Sequence, residues 1–380
     1  MNVIKGGVTA PKGFLANGMA CGIKRSGKQD LGLIASQVPA KTAGVFTTNS
    51  VKAAPLLVSM EHIRKGVGRA VLVNSGNANC YTGPFGLRYA RQSTRLIARL
   101  LGIKSTDVLV TSTGIIGKSF PYNKIASAAP ALVRGLSPNG GLKFARAIMT
   151  TDLKLKEIAV RVKIGGKTVT IGACGKGSGM IEPNMATMLG FVTTDAAISS
   201  KMLKMALKKA TDKSFNSITV DGCMSTNDMV TLQANGLAGN KTIAKDGVDF
   251  KKFYAALEFV CVDLARKIVL DGEGATKFLT INVLCAANPA QAKKIAKAVA
   301  NSALVKTAAF GNNPNWGRVG AAVGSLGIKG ITEGTMKISF SPFDKKNIAI
   351  TVELNLGKAR ATVYTCDLSY GYVKINGAYN

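Results

Sequence analysis

Apolar residues recur along this chain at two spacings, and the two alternate. In "RAVLVNSGNAN" the run Ala70–Val73 is continuously apolar and gives way to small polar residues. That predicts a buried strand leading into a loop. "GLRYARQSTRLIARLLG" puts Leu87, Ala90, Thr94, Ile97 and Leu101 on one helical face, with Gly102 as the stop. "DVLVTSTGIIG" predicts a second buried strand that ends in a glycine turn. "IAVRVKI" alternates Ile158, Val160, Val162 and Ile164 with Ala159, Arg161 and Lys163; Gly165-Gly166 then turns the chain and "KTVTIG" returns, which predicts a hairpin. Further on, Ser199 or Ser200 is placed to cap a helix through Leu203, Ala206, Leu207 and Ala210. "SITVDG" and "FLTINVL" predict further core strands. After about residue 285 a helix, "AQAKKIAKAVA", and a glycine-rich stretch precede the short strands "MKISF", "NIAITVEL" and "ARATVYTC". The whole predicts an α/β protein of layered sheets and helices, with a smaller α/β C-terminal lobe at about 285–380 and no tandem repeat.

With 380 residues, 47% of them hydrophobic and 18% charged, the chain can bury a sizeable core and form two or three domains. No apolar run reaches the roughly 18–20 residues of a membrane helix. The first residues carry no continuous apolar segment of secretory type, so the expected compartment is the cytoplasm and no membrane partner is expected. The seven cysteines are odd in number and form no CxxC, which argues for small buried thiols rather than disulfides or a zinc site. The formal net charge of +30 attracts polyanions in general. The basic residues are nevertheless spread over several segments, such as "RYARQSTRLIARLLG" and "KMLKMALKKATDK", and read as solvated helix faces. No specific nucleic-acid partner is expected.

The single histidine, His62, changes the picture more. It lies in "SMEHIRKG", a polar, surface-like segment. A Ser-His-Asp or Cys-His set would rest wholly on it, and a metal site would have at most one imidazole. No metal is expected. An enzyme with this sequence that uses a nucleophile takes its base from elsewhere.

"KGSGMIEPNMATMLGFVTTDA", residues 176–196, offers Lys, Ser, Thr, Glu and Asp but no His or Cys. It lacks P-loop spacing. Spacing alone reads Thr187 as a strand residue with a locally bonded hydroxyl. It reads Lys176, and Glu273 in "DGEG", as surface charges, and "TSTG" as a strand-end turn. A threonine hydroxyl gains a base without any histidine if its own α-amine is freed, because that amine titrates near neutrality. The Ala186-Thr187 bond is therefore a candidate for cleavage.

The blocks "VTAPKGFLANGMACGIKRSGKQDLGLI", "VNSGNAN", "TSTGIIG", "ARAIMTTD", "KGSGMIEPNMATML", "SFNSITVDGCMSTND", "DGEGATKF", "NPNWGR" and "CDLSYGYVKIN" follow one another in this order. Over nearly its full length the chain resembles the ornithine acetyltransferase (glutamate N-acetyltransferase) family. The resemblance implies an αββα sandwich of N-terminal-nucleophile-like type. It implies self-cleavage between Ala186 and Thr187 into chains 1–186 and 187–380, which assemble as two of each. It implies transfer of acetyl from N2-acetyl-L-ornithine to L-glutamate in arginine biosynthesis, by a ping-pong route through an acetylated Thr187. Thr113 and Gly114 match the oxyanion pair, and Thr150, Lys176, Thr187, Glu273 and Asn376 match substrate contacts. No cofactor is implied; acetyl-CoA serves some members as an alternative acetyl donor.

The chain departs from that pattern in places. Cys223 and Met224 stand where the family is usually more polar, Asn313 stands where Asp is usual, and a C-terminal Ser or Thr contact is expected to be missing after Asn380. Two rivals stay open at this point: a self-cleaving amidase or aminopeptidase with water as acceptor, and a non-catalytic binder of nucleic acid.

Overall fold

A computed structural model describes residues 1–182 and 188–378. The chain divides into two compact units: Met1–Gly177, Asn184–Phe215 and Met224–Leu264 form the first, and Ser178–Pro183, Asn216–Cys223 and Ala265–Asn380 the second.

The first unit is built on strands β1 (Asn2–Ile4), β2 (Phe14–Met19), β3 (Leu31–Phe46), β4 (Val67–Asn77), β5 (Val108–Ile115), β6 (Lys156–Ile164), β7 (Lys167–Lys176), β8 (Leu189–Thr194) and β9 (Met229–Ala234). They run in the order β1-β6-β7-β8-β9-β3-β4-β5, with β2 also on β3. The long strand β3 serves two neighbourhoods. Its first half pairs with β2 and β4; the register then shifts between Ala35 and Ala40, and residues 41–46 pair with β9. The strand thereby turns a single sheet into two leaves. Ile34, Val71, Val73 and Leu109 of one leaf share a core with Cys174, Leu189, Phe191 and Met229 of the other.

Helices surround these leaves. α1 (Ala54–His62), α2 (Gly83–Leu101) and α3 (Tyr122–Arg134) cover the opposite face of β3–β5, where Leu33, Leu72, Val108 and Val110 meet Val58, Ile97 and Ile125. α4 (Gly141–Ile148) inserts Phe144 into the inter-leaf core. Its ring meets Phe191 edge-on at 5.2 Å, a pairing worth about 0.5–1.5 kcal/mol beyond area burial. α5 (Ser200–Lys213) packs on β3 and β9. The layered α/β architecture expected from the sequence is present. α6 (Val248–Leu270) starts in this unit and runs on past Leu264. Among the described residues no helix is long and apolar enough to cross a membrane.

The second unit carries β10 (Phe278–Ala286), β11 (Met336–Phe340), β12 (Asn347–Leu354) and β13 (Ala359–Cys366) in the order β11-β12-β10-β13. With them go α7 (Pro289–Asn301), α8 (Ala303–Phe310), α9 (Trp316–Gly324) and α10 (Tyr370–Gly377). Ile295 and Val299 of α7 pack with Ile281, Val283, Ile350 and Val363 of the sheet.

Two readings of the sequence need correction. "SITVDG" is no strand; it makes one isolated bridge, Ile218 to Tyr364. Its polar groups go elsewhere: Val220 N–H and the Thr219 hydroxyl donate to Ile181 O, and Asp221 accepts from Met180 N and Ile181 N. Nor is His62 on a surface. It is 8% exposed, with Nδ1 2.8 Å from Val108 O. The helix face, not the polar neighbours in sequence, decides its burial.

Candidate active site

In the first unit, β4 and β5 run parallel, with Ser75 beside Thr113 and Gly76 beside Gly114. Gly114 has φ +129°, and a Cβ there would run into the Gly76 backbone. Only glycine supplies that conformation without strain. The strand end is fastened from both sides: the Ser112 hydroxyl donates to Asn74 Oδ1 at 2.6 Å, and Asn227 Nδ2 donates to Ser112 O at 2.8 Å and Ala78 O at 2.6 Å. Thr113 and Gly114 thus stand on a fixed, strand-borne backbone.

Lys176 ends β7. It is 9% exposed, and its Nζ donates to Thr113 Oγ at 3.1 Å. Asp152 ties Lys176 and Thr150 together. Its Oδ1 accepts from Gly177 N at 2.8 Å and from Lys156 Nζ at 2.7 Å, and its Oδ2 accepts from Thr150 N at 2.9 Å. Burial alone would raise this carboxyl, but Lys156 and Lys176 overcome it and hold it down at about 2. Lys24 adds a further cation. Its Nζ donates to Met149 O and Gln29 O, each at 2.7 Å. Burial lowers its pKa to about 8 against the pull of Asp30. One unit therefore brings together Thr113, Gly114, Thr150 and Lys176, the last buried where spacing alone reads a surface charge.

In the second unit, Glu273 is likewise buried, at 8% exposure. Asn376 Nδ2, on α10, donates to Glu273 Oε2 at 2.9 Å. Glu273 N donates to Ser178 O at 2.9 Å. The carboxylate lies against Gly179, where any Cβ would collide with it. This explains the second glycine of "KGSG". The turn holding Glu273 continues through Gly274, at φ +68°, packed against the Tyr372 backbone. The two substrate contacts that the resemblance implies here are thus direct partners.

Ala186 and Thr187 lie outside the described residues. Thr187 is followed by Met188, buried, and then by β8.

Sequence reasoning missed Asp152, Asn227 and Asp228. "TTD" and "STND" did carry a signal: short polar clusters, each ending in an acid, the second directly before the apolar strand β9. Among the described residues no group of three or more His, Cys, Asp or Glu side chains is placed to hold a metal ion. The cysteines Cys80, Cys174, Cys261 and Cys366 are buried, Cys21 and Cys285 partly so, and Cys223 is exposed.

A family model described as the ArgJ family matches residues 15–380. The arginine biosynthesis bifunctional protein ArgJ of Symbiobacterium thermophilum is 48% identical over 400 residues, covering 100% of both chains. The chain belongs to the ArgJ family. The ArgJ protein of Geobacter sulfurreducens is 47% identical, covering 97% of this chain and 99% of its own. Among solved structures, ornithine acetyltransferase complexed with ornithine from Mycobacterium tuberculosis matches at 39% identity and a TM-score of 0.46, over 49% of this chain and 99% of that one.

Proposed function

We propose that the chain is a glutamate N-acetyltransferase of arginine biosynthesis that moves acetyl from N2-acetyl-L-ornithine to L-glutamate. The carrying observation is the placement of Thr113, Gly114 and Lys176 at adjoining strand ends, with Thr150 tied in through Asp152, in a member of the ArgJ family.

The chain first cuts itself between Ala186 and Thr187, which frees the Thr187 amine. Thr187 Oγ then attacks the acetyl carbonyl, and the amine takes the hydroxyl proton. The Thr113 hydroxyl and the Gly114 N–H receive the oxyanion. The tetrahedral adduct collapses, its C–N bond breaks, the proton passes to the departing ornithine nitrogen, and acetyl remains as an ester on Thr187. The glutamate amine attacks that ester, and Thr187 leaves with its proton restored. By resemblance, Thr150 and Lys176 of the first unit, and Glu273 with its partner Asn376 of the second, are substrate contacts. The scheme uses no cofactor; acetyl-CoA would enter as an alternative donor. The cut chains are expected to assemble as two of each, in the cytoplasm.

The test is to incubate purified protein with acetylornithine and glutamate and to quantify acetylglutamate and acetate. Acetylglutamate supports the reading. Acetate alone would move the chain to the amidase class.

A further inference from the structure

Asp228 takes no part in the scheme above, yet it is 2% exposed. β8 and β9 run parallel with Leu189 beside Met229, so Asp228 lies in line with Met188, the residue after Thr187. Met229 N donates to Met188 O at 3.2 Å, and the Met188 N–H and the Ser225 hydroxyl donate to the Asp228 carboxyl. The preceding residue, Asn227, holds Ser112 O, one residue before Thr113. Two consecutive side chains therefore tie the peptide next to the nucleophile to the strand that carries the oxyanion pair.

The same carboxyl is short of donors for an ion. Its Oδ2 is buried with no partner among the described residues. The Thr47 hydroxyl beside it already gives its proton to Ser225 O at 2.9 Å. Burial drives its pKa well above the carboxylate range, against the Ser225 hydrogen bond and the attraction of Lys176.

We propose that Asp228 is a positioning residue for acyl transfer that registers Met188 against Ser112. The idea rests on Thr187 being the nucleophile and Thr113 and Gly114 the oxyanion pair. It adds that Met188, the residue after Thr187, is registered on the oxyanion strand through Asn227-Asp228.

The experiment compares Asp228→Asn and Asp228→Ala for cutting of the Ala186-Thr187 bond, for kcat and KM of acetyl transfer, and for thermal unfolding. An amide keeps the acid's size and its ability both to donate and to accept. Asp228→Asn should therefore cut and turn over within about threefold of wild type. Asp228→Ala should lose about 10²-fold in kcat with little change in KM, the loss expected when reacting groups shift by about an ångström. A dead Asp228→Asn, or a fully active Asp228→Ala, would overturn the proposal. If Asp228→Ala does not fold, Asp228→Asn decides alone. If wild type itself makes no acetylglutamate, the functional reading fails, while the rate of self-cutting still ranks the variants.

Discussion

Lys176 Nζ donates to Thr113 Oγ at 3.1 Å, and both side chains are buried. A hydroxyl that accepts from an ammonium keeps its own proton to give. The arrangement leaves Thr113 able to donate to a developing oxyanion, and the adjacent charge strengthens that donation. Thr113→Val should lower kcat by about 10²–10³-fold with a smaller effect on KM. Lys176→Met should cost less than the sum when combined with Thr113→Val, because the two residues act as one unit. Steady-state kinetics of the two single variants and the double variant check this; strict additivity would refute the coupling.

Self-cleavage has a plain readout. On a denaturing gel wild type should give two fragments, the second beginning at Thr187, and Thr187→Ala should remain full length and inactive. Uncut wild type with full activity would remove the amine from its role as base.

The proposed route holds an acetyl ester on Thr187 between the two substrates. Acetylornithine alone should therefore leave one acetyl group on the fragment that begins at Thr187, and glutamate should discharge it. Mass spectrometry of the separated fragments reads this directly. Label found elsewhere would rule out the covalent route.

The Asp152–Lys156 pair is buried on both sides, with side-chain exposures of 0% and 1%. Asp152→Asn should cost about 3–5 kcal/mol at neutral pH, since it takes one charge from a desolvated pair. The carboxyl's folded pKa, about 2, lies below its ordinary 3.8. Its contribution is therefore complete above the unfolded pKa and is lost as pH falls toward about 2. Unfolding scans from pH 7 to pH 3 should show wild type losing stability more steeply than Asp152→Asn.

The charge excess is expected to be non-specific. Arg88, Arg91, Arg95 and Arg99 of α2, like Lys201, Lys204, Lys208 and Lys209 of α5, are exposed on faces opposite the buried ones. At physiological ionic strength the Debye length is about 8 Å, so charges spread this way act weakly together. Titration with duplex and single-stranded nucleic acid should show binding that fades as salt rises to that level. Tight, sequence-selective binding there would revive the nucleic-acid reading.

The elements easiest to read in the sequence were those whose order is local. The α2 face, the β6–β7 hairpin and the Gly102 stop follow from neighbours a few residues apart, and Gly102 does adopt φ 65°. Ser199, not Ser200, proved to be the cap, accepting from Met202 N. Burial of charge was not legible. Lys176 is held beside Thr113, 63 residues away, and Glu273 is bonded to Asn376, 103 residues away. No periodicity announces such partners. His62 misled for the same reason: the carbonyl that receives it, Val108 O, comes from strand β5, 46 residues on. The candidate site residues were named from family motifs, whereas Asp152, Asn227 and Asp228 emerged only once distant segments were seen together.

The strand order has a consequence for the cut itself. β8 and β9 follow Thr187 in the chain, yet they lie between β7 and β3, both of which precede it. Hydrogen-bond ladders join β8 to β7 on one side and β9 to β3 on the other. Breaking the Ala186-Thr187 bond would therefore release nothing. The two products would stay interleaved like the fingers of clasped hands, parting only if the sheet itself were taken apart. A chain that cuts itself there would assemble this weave before the bond broke, so its precursor would act as its own folding template. Fragments expressed separately face a bimolecular search for a strand order that the intact chain finds within one molecule, and co-expressed halves should recover far less active protein than the single chain.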